Sequence, residues 1–205
     1  MVHEKTSIVL AGVGGHGVIT AANILGKTAL KEDMTVYVSE VHGMAQRGGA
    51  VICTVRMGKK VSTALLARGT ADAIVSTEPI EALRYISYAN THTKIITDVN
   101  PTIPFTVSVS GEKYPAVERI FDEIKKHAML YKIDAMSIAK NAGSVITKNI
   151  VLLGALAAAD VLPFKPDVLL ETVLDNVPPK YRDINRKAFN GGIKAIKSLK
   201  TRSLK

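Results

Sequence analysis

Six residues near the N-terminus, Gly-Val-Gly-Gly-His-Gly at positions 12–17, have the composition of a turn that binds an anion. Gly12, Gly14, Gly15 and Gly17 permit positive φ angles and a close approach of the backbone to another group. A short apolar run precedes the turn and a helical pattern follows it, so the first N–H groups of a helix can face a phosphate or carboxylate. The spacing also matches the dinucleotide-binding pattern Gly-x-Gly-x-x-Gly. Three interpretations stay open: a structural tight turn, an anion contact, and a full nicotinamide or flavin dinucleotide site.

A second segment, Ser-Glu-Val-His-Gly-Met-Ala-Gln-Arg-Gly-Gly at positions 39–49, places several polar side chains between glycines. Arg47, beside the amide of Gln46, can hold a carboxylate or phosphate with two parallel hydrogen bonds. His42 can transfer a proton near neutral pH. Glu40 can accept a hydrogen bond from His42 or Arg47, and it follows a predicted strand, where an acid binds the ribose in dinucleotide sites. We expect a loop that binds a ligand or a partner; the alternative is a loop whose polar groups satisfy one another.

The remaining polar residues give weaker signals. Glu78 follows a predicted strand and precedes Pro79, so it is expected at the same sheet edge as a helix cap or in a surface salt bridge, with a ligand or partner contact as the less favoured alternative. Cys53 is expected to be a small core residue. His3, His92 and His127 lack the spacing of metal ligands. The sequence contains no complete catalytic constellation, which favours a subunit that assists chemistry held elsewhere.

These residues have to be positioned by alternating strands and helices. Hydrophobic patterns predict helices at 18–30, from 79, at 115–127 and over most of the chain from about 137. They predict strands at 6–11, 34–39, 50–57, 61–66, 71–76, 94–98, 105–109 and 129–134. We expect the strands at 50–57 and 61–66 to form an antiparallel hairpin. The predicted fold is α/β: a mixed β-sheet with a Rossmann-like first βαβ unit, an antiparallel hairpin and a helical C-terminal third, in one domain over residues 1–205.

Composition excludes several classes of protein. The 205 residues are 47% apolar and 22% charged, as in globular proteins. One cysteine excludes an internal disulfide framework and a zinc site built from several thiolates, and it cannot supply the four ligands of an iron–sulfur cluster. No metal site is expected. The longest apolar run, residues 150–159, is too short to span a membrane. With no secretion signal visible either, we expect a cytoplasmic protein without membrane contact.

The net charge of +9 is unevenly distributed. Residues 1–100 carry ten lysines and arginines against eight acids, whereas residues 180–205 carry nine against one acid, Asp183. The C-terminal segment is predicted to be a solvated amphipathic helix, with docking on an acidic partner as the alternative. No aromatic residues interleave with its lysines to stack on bases, so a nucleic-acid partner is not expected.

Several longer motifs resemble one family. The segments GVGGHGVITAANILG, SEVHGMAQRGGAV and STEPIEALR, in this order within the first 90 residues, resemble the β subunits of indolepyruvate ferredoxin oxidoreductases. They are also similar to the γ subunits or domains of other 2-oxoacid:ferredoxin oxidoreductases. KNIVLLGALAAADVLP and NRKAFNGG extend the similarity over nearly the whole chain. One departure is His16, where the family usually has glutamine.

The resemblance implies a function that the residues alone do not give. Such a complex decarboxylates an aryl or branched 2-oxoacid, couples it to coenzyme A and passes two electrons to ferredoxin. Thiamine diphosphate, Mg²⁺ and the iron–sulfur clusters are expected on a larger α subunit, and this chain alone is expected to bind no cofactor. Its partners would be that α subunit and, through the complex, ferredoxin.

The resemblance also suggests what this chain would do within the complex. The glycine turn and the loop at 40–49 would shape the approach of the substrate or of coenzyme A, with Gln46 and Arg47 pairing with an anion or with the partner chain. No residue is assigned to proton transfer, for which His42 is only a candidate. The alternatives are a complex specific for pyruvate, 2-oxoisovalerate or 2-oxoglutarate, a stand-alone Rossmann-type nucleotide-binding protein, and a basic scaffold.

Overall fold

A six-stranded mixed sheet organises the chain in a computed structural model that describes residues 4–43, 48–103 and 113–203. Its strands are β1 (Thr6–Val13), β2 (Val36–His42), β3 (Ala50–Met57), β4 (Ala73–Ser76), β5 (Lys94–Asp98) and β6 (Met129–Ile133). Their order across the sheet is β2-β3-β1-β4-β5-β6. β1, β4, β5 and β6 run parallel, while β3 is antiparallel to both of its neighbours.

Seven α-helices occur in the described parts of the chain. They are α1 (Val18–Lys31), α2 (Pro79–Arg84), α3 (Val117–Lys125), α4 (Ala135–Ala142), α5 (Lys148–Ala157), α6 (Pro166–Asp175) and α7 (Arg182–Ser203). Single 3₁₀ turns lie at Ile86–Tyr88, Val145–Thr147 and Pro179–Tyr181. Within these same parts, none of the helices combines the length and the apolar character that crossing a membrane requires.

The predicted fold class is confirmed, but the hairpin lies elsewhere. β1, α1 and β2 form the predicted first unit, yet β3 turns back and lies between β1 and β2. The antiparallel hairpin is therefore β2–β3, and the prediction of a strand at 61–66 was wrong. Backbone carbonyls of that segment accept side-chain hydrogen bonds instead: Thr54 Oγ1 donates to Ala64 O at 2.9 Å and Arg56 Nη1 donates to Thr63 O at 2.8 Å. These bonds hold the segment against one face of β3.

Two further strand predictions need comment. β2 continues to His42, so Glu40 and His42 lie in a strand and not in the polar loop that the sequence suggested. From position 36 the strand mixes apolar residues with Ser39, Glu40 and His42, which fits an edge strand, since such a strand tolerates polar side chains on both faces. The strand predicted at 105–109 lies outside the described residues.

Two hydrophobic cores cover the two faces of the sheet. Alternation along β1 places Ile8 and Leu10 in one core and Val9 in the other. The larger core lies under α1, α4, α5, α6 and α7, and the smaller one lies under α2 and α3. In α3 the fully buried residues Ile120, Phe121 and Ile124 share one face. Burying a side chain of this size contributes about 1.5–3 kcal/mol.

α5 is buried on all sides, as its apolar sequence predicted, because α7 crosses it closely. A Cβ at Gly154 would lie 2.0 Å from the Phe189 carbonyl oxygen, and one at Gly192 would lie 1.9 Å from the Val151 carbonyl oxygen. Only glycine permits this distance between the two backbones. The Asn-Gly-Gly element near the C-terminus thus has a packing role.

Candidate functional site

The carboxyl ends of β1, β4 and β5 meet at one edge of the sheet, where ligands bind in open α/β folds. The glycine turn follows β1 at this edge. Gly17 is the N-cap of α1 with a φ of 72°, and a Cβ there would lie 2.4 Å from Asn149 Nδ2. A Cβ at Gly12 would lie 2.0 Å from Thr77 Oγ1. A side chain at Gly12 would displace Thr77, and the positive φ of Gly17 favours glycine there, whereas a Cβ at Gly15 would have no neighbouring atom within 4 Å, because this position faces open space.

The structure brings the two segments singled out by sequence into contact. Gly14 N donates to Gly49 O at 2.8 Å, and Gly48 N donates to Gly14 O at 3.3 Å. The end of the connection between β2 and β3 is thus hydrogen-bonded to the glycine turn. Gln46 and Arg47 belong to this connection but lie outside the described residues.

A cavity of about 440 Å³ opens between these segments. It is lined by backbone of the glycine turn, by the start of α1 and by the strand ends, namely Val13, Gly14, Gly15, Gly17, Val18, Ile19, Thr20, His42 and Val51. His42 is exposed at its rim. Because α1 begins at Val18 with no side-chain cap, its first N–H groups remain accessible to an anion in the cavity.

A second cleft of about 640 Å³ adjoins the first and shares Gly15, Gly17 and Thr20 with it. It continues between α1 and the C-terminal helices, along mostly apolar side chains that include Ile24, Ile150 and Ile184. Together the two cavities offer an elongated site with a polar end at the helix N-terminus and an apolar continuation.

Glu40 does not reach the glycine turn. It pairs with Cys53 across the β2–β3 ladder, and the described residues that line the first cavity do not include it. Because β3 intervenes, the end of β2 lies two strand spacings from β1, or roughly 9.6 Å. In a dinucleotide fold the two strands are adjacent, so Glu40 is not placed to bind the ribose of a nucleotide at the turn. Burial, and secondarily the charge of Glu40, raises the pKa of Cys53 to about 12, which makes this thiol unreactive.

His16 points towards β4 and is half-buried. Its Nδ1 lies 3.2 Å from Thr77 Oγ1. Burial lowers the pKa of His16 to about 4, and the charge of Lys148 lowers it further while that of Asp98 opposes the shift. His16 is therefore a neutral imidazole at physiological pH, and it can form hydrogen bonds as glutamine would without adding charge.

A buried ion pair that the sequence analysis missed lies behind His16. Lys148 Nζ is 3.1 Å from Asp98 Oδ2 and donates a hydrogen bond to the Thr77 carbonyl at 2.9 Å. The other oxygen, Asp98 Oδ1, accepts hydrogen bonds from Ala135 N at 3.1 Å and from Asn100 Nδ2 at 3.0 Å. The pair ties the start of α5 to β4 and β5. The signal in the sequence was Lys148, which directly precedes the apolar segment of a helix that must be buried. A lysine buried with that segment requires an acidic partner.

Glu78 is fully buried and caps α2, as the favoured sequence interpretation held. Its Oε2 accepts a hydrogen bond from Glu81 N at 3.1 Å, and its Oε1 accepts one from the Tyr114 hydroxyl. Burial and this hydrogen bond raise the pKa of Tyr114. With its oxygens occupied inside the protein, Glu78 serves to position the helix that follows β4.

The donor groups do not fit an iron–sulfur cluster, because the chain has one cysteine and it is buried in the core. Among residues 4–43, 48–103 and 113–203, no three histidine, cysteine, aspartate or glutamate side chains group closely enough to hold a metal ion. What the edge offers is backbone N–H groups, glycines and neutral polar side chains, which suit an anionic ligand.

The sequence pattern of the pyruvate ferredoxin/flavodoxin oxidoreductase family matches residues 7–195. Indolepyruvate oxidoreductase subunit IorB of Pyrococcus horikoshii is 44% identical over 198 residues, covering 96% of this chain and 98% of that protein. The protein of the same name in Thermococcus kodakarensis is 42% identical over 202 residues, with the same coverage of both chains.

Solved structures share the fold. The γ subunit of a keto/oxoacid ferredoxin oxidoreductase from Geobacter sulfurreducens superposes with a TM-score of 0.69 at 22% identity, over 94% of this chain and 99% of that one. The 2-oxoglutarate:ferredoxin oxidoreductase of Magnetococcus marinus gives a TM-score of 0.73 at 21% identity, over 96% of this chain but 32% of that one. By the extent of the sequence match and the identity to these relatives, the chain belongs to the pyruvate ferredoxin/flavodoxin oxidoreductase family.

Proposed function

We propose that this chain is a subunit of an indolepyruvate-type 2-oxoacid:ferredoxin oxidoreductase and carries no redox centre of its own. The observation that carries the proposal is the 44% identity to an indolepyruvate oxidoreductase subunit over nearly the full length of both chains. The complex would oxidatively decarboxylate an aryl 2-oxoacid to an acyl-coenzyme A and reduce ferredoxin. We infer a cytoplasmic protein with one domain over residues 1–205.

The cofactors of this reaction would reside on a larger α subunit. One buried cysteine cannot provide the ligands of an iron–sulfur cluster, and the carboxyl edge of the sheet presents no carboxylate cluster for a diphosphate-bound Mg²⁺ among its described residues. Thiamine diphosphate and Mg²⁺ would supply the decarboxylation chemistry there, and iron–sulfur clusters would carry the electrons to ferredoxin. This division makes activity dependent on assembly.

This chain would contribute an anion-binding wall to the shared site. The N-terminus of α1 and the glycine turn face the first cavity, so a carboxylate of the substrate or a phosphate of coenzyme A would be stabilised there. The adjoining apolar cleft suits the uncharged part of an elongated co-substrate such as coenzyme A. His42 would lie at the rim, and Gln46 and Arg47 would pair with the anion or with the α subunit. We assign no proton transfer, for which His42 remains the candidate.

The test is reconstitution with a thiamine-dependent α subunit of an indolepyruvate oxidoreductase from the same organism. We expect the two chains to copurify and to reduce ferredoxin with indolepyruvate in a reaction that requires coenzyme A, whereas this chain alone is inactive. Oxidation of a 2-oxoacid by the isolated chain would refute the proposal. A preference for pyruvate, 2-oxoisovalerate or 2-oxoglutarate over indolepyruvate would keep the subunit role and change the substrate.

Arg47 offers a direct test of the loop. Arg47→Ala is expected to lower the turnover of the assembled complex while leaving the melting temperature of the isolated chain nearly unchanged, because a ligand or partner contact contributes little to folding. Leu65→Ala, on an exposed side chain that lines neither cavity, is the control for turnover. A large drop in melting temperature for Arg47→Ala would make the loop structural.

The stand-alone nucleotide-binding alternative is disfavoured by topology, because β3 separates Glu40 from the glycine turn. Calorimetry of the isolated chain with NAD, FAD and coenzyme A separates the two functions. Micromolar binding of NAD alone would support the alternative.

A further inference from the structure

β2 forms an open edge of the sheet. No described strand pairs with its outer side, and five of its seven residues are exposed, so neither face is fully covered. The exposed side chains include Tyr37, Val38 and Val41, the last with 63% of its surface accessible. Proteins usually protect such an edge with lysine, proline or a bulge. β2 carries one charged residue, Glu40, but neither lysine nor proline, whereas the opposite edge strand, β6, carries Lys132.

The hydrogen-bonding direction of each β2 residue follows from the ladder with β3. Gly43 N donates to Ala50 O, and Gly58 N donates to Thr35 O, so the odd-numbered positions bond to β3. Bonding alternates along an antiparallel strand. The N–H and C=O groups of the even-numbered residues, Val36, Val38, Glu40 and His42, therefore point out of the sheet.

We propose that a second copy of this chain pairs with β2, antiparallel and centred on Ser39, so that the two sheets become continuous. In this register Val36 is opposite His42 and Val38 is opposite Glu40, and all four residues with outward groups exchange hydrogen bonds with their partners. A shift by two residues in either direction would leave some of these groups unpaired. The proposal does not depend on the function proposed above.

The side chains favour the same register. Tyr37 of each copy lies opposite Val41 of the other in a position without backbone hydrogen bonds, where side chains are closest. Aromatic and β-branched residues stabilise each other across strands. The pairing also places each Glu40 opposite Val38, so that the like charges are not directly opposed. Because a two-fold axis passes through Ser39, the Tyr37–Val41 pair occurs twice in the dimer.

A disulfide cross-link tests the register. With Ser39→Cys the two thiols would be opposite each other at a Cα separation of about 4.5 Å, which a disulfide can bridge. We expect a covalent dimer on oxidation with copper–phenanthroline, both for the isolated chain and in the complex with the α subunit. The native Cys53 is buried and its pKa is raised to about 12, so it does not compete. Failure of Ser39→Cys to cross-link would overturn the proposal.

Two matched variants control the cross-link. Tyr37→Cys alone places the two thiols roughly 13 Å apart along the strands and should not cross-link, whereas a mixture of Tyr37→Cys and Val41→Cys chains should. Equal cross-linking of Tyr37→Cys with itself would show random collision or another register and would refute the pairing.

A second measurement uses mass in solution. We expect a mass of twice the 22.0 kDa chain by light scattering, and at least tenfold weaker self-association for Val41→Lys, because lysine protects an edge. Leu65→Lys, at a similarly exposed apolar residue outside β2, is the control and should keep the dimer. The proposal would be overturned if the wild-type chain is monomeric and the β2 amides are protected from hydrogen exchange only when the α subunit is bound. That result would identify a strand of the α subunit as the partner of β2. Absence of copurification with an α subunit would refute the proposed function but leave the cross-link result intact.

Discussion

His16 supplies a hydrogen-bonding ring at the glycine turn without adding a positive charge at neutral pH. Its imidazole is hydrogen-bonded to the Thr77 hydroxyl and lies near Lys148. Burial is the main reason that the pKa of His16 is lowered to about 4. Between that value and the ordinary pKa of 6.5, the unfolded chain takes up a proton at this position and the folded chain does not. Acidification through this window therefore favours unfolding. Above pH 6.5 both states are neutral and the effect is absent.

We therefore expect His16→Gln to flatten the loss of stability between pH 6.5 and about 4. The measurement is the urea midpoint as a function of pH. His92→Gln, at an exposed histidine, is the matched control and should follow the wild-type curve. Parallel curves for wild type and His16→Gln would show that His16 titrates normally.

The buried ion pair carries a second prediction at this scale. Lys148→Met is expected to destabilise the chain by about 3–5 kcal/mol, because it leaves the Asp98 carboxylate buried without its cation. The double variant with Asp98→Asn should lose less than the two single variants together, since it removes the uncompensated charge. Urea unfolding measures all three free energies. A loss below about 1 kcal/mol for Lys148→Met would mean that water reaches the carboxylate.

The parts of the site that depend on residues close in sequence could be predicted, and the parts that depend on tertiary packing could not. The position of the glycine turn between β1 and α1 was predictable from local spacing, because a turn between strand and helix is encoded by adjacent residues. His42 was expected in a loop and instead ends β2. Lys148 and Asp98 were missed because their meeting depends on how α5 docks on the sheet. Glu40 was placed too near the turn, since neighbouring strands in the sequence need not be neighbours in the sheet.

At the scale of elements, most strand and helix positions were predictable, with the strand expected at 61–66 as an exception, and pairing was not. The segments that became β1, β3 and β5 have the periodicity of buried or half-buried strands. Nothing in the residues at 50–66 distinguishes a forward hairpin from a backward one, because both bury the same apolar face of β3. The actual choice depends on pairing with β2 and β1 on both sides.

The contact of α5 with α7 makes a prediction for packing. Gly192→Ala is expected to destabilise the chain by about 1–3 kcal/mol, because the new methyl group would lie 1.9 Å from the Val151 carbonyl oxygen, a backbone atom that cannot rotate away. Asn190→Ala, two residues earlier on the exposed face of α7, is the control and should change stability by less than about 0.5 kcal/mol. Equal midpoints in urea for Gly192→Ala and wild type would show that the helices can separate without loss.

For the whole molecule, the net charge of +9 is mostly a property of α7 and its neighbours. Part of this charge is paired locally, since Lys187 Nζ lies 2.7 Å from Asp183 and Lys200 contacts Asp160. Deleting residues 190–205 would remove this positive charge but would also destabilise the fold, because Gly192 and Ile196 belong to the buried contact with α5. Charge reversal on the exposed face avoids this difficulty.

We expect the intact chain to bind duplex DNA no more tightly than about 1 μM at physiological salt, as a non-specific cationic surface does. Lys194→Glu with Lys197→Glu should weaken this binding, and added salt should abolish it, as measured by fluorescence anisotropy. Lys125→Glu with Lys126→Glu reverses the same number of charges at the end of α3 and controls for net charge. Nanomolar binding that is abolished by Lys194→Glu with Lys197→Glu, but not by the control pair, would support a nucleic-acid function.

The hydrogen bond from Asn149 to the Gly17 carbonyl spans 132 positions of sequence. A nascent chain emerging from the ribosome can build β1 and α1 early, yet their junction lacks this bond until α5 has been synthesised. α5 in turn is covered only when α7, the last helix of the described chain, packs on it. Premature termination before α5 would therefore leave the glycine turn without this bond, and termination between α5 and α7 would leave an apolar helix uncovered.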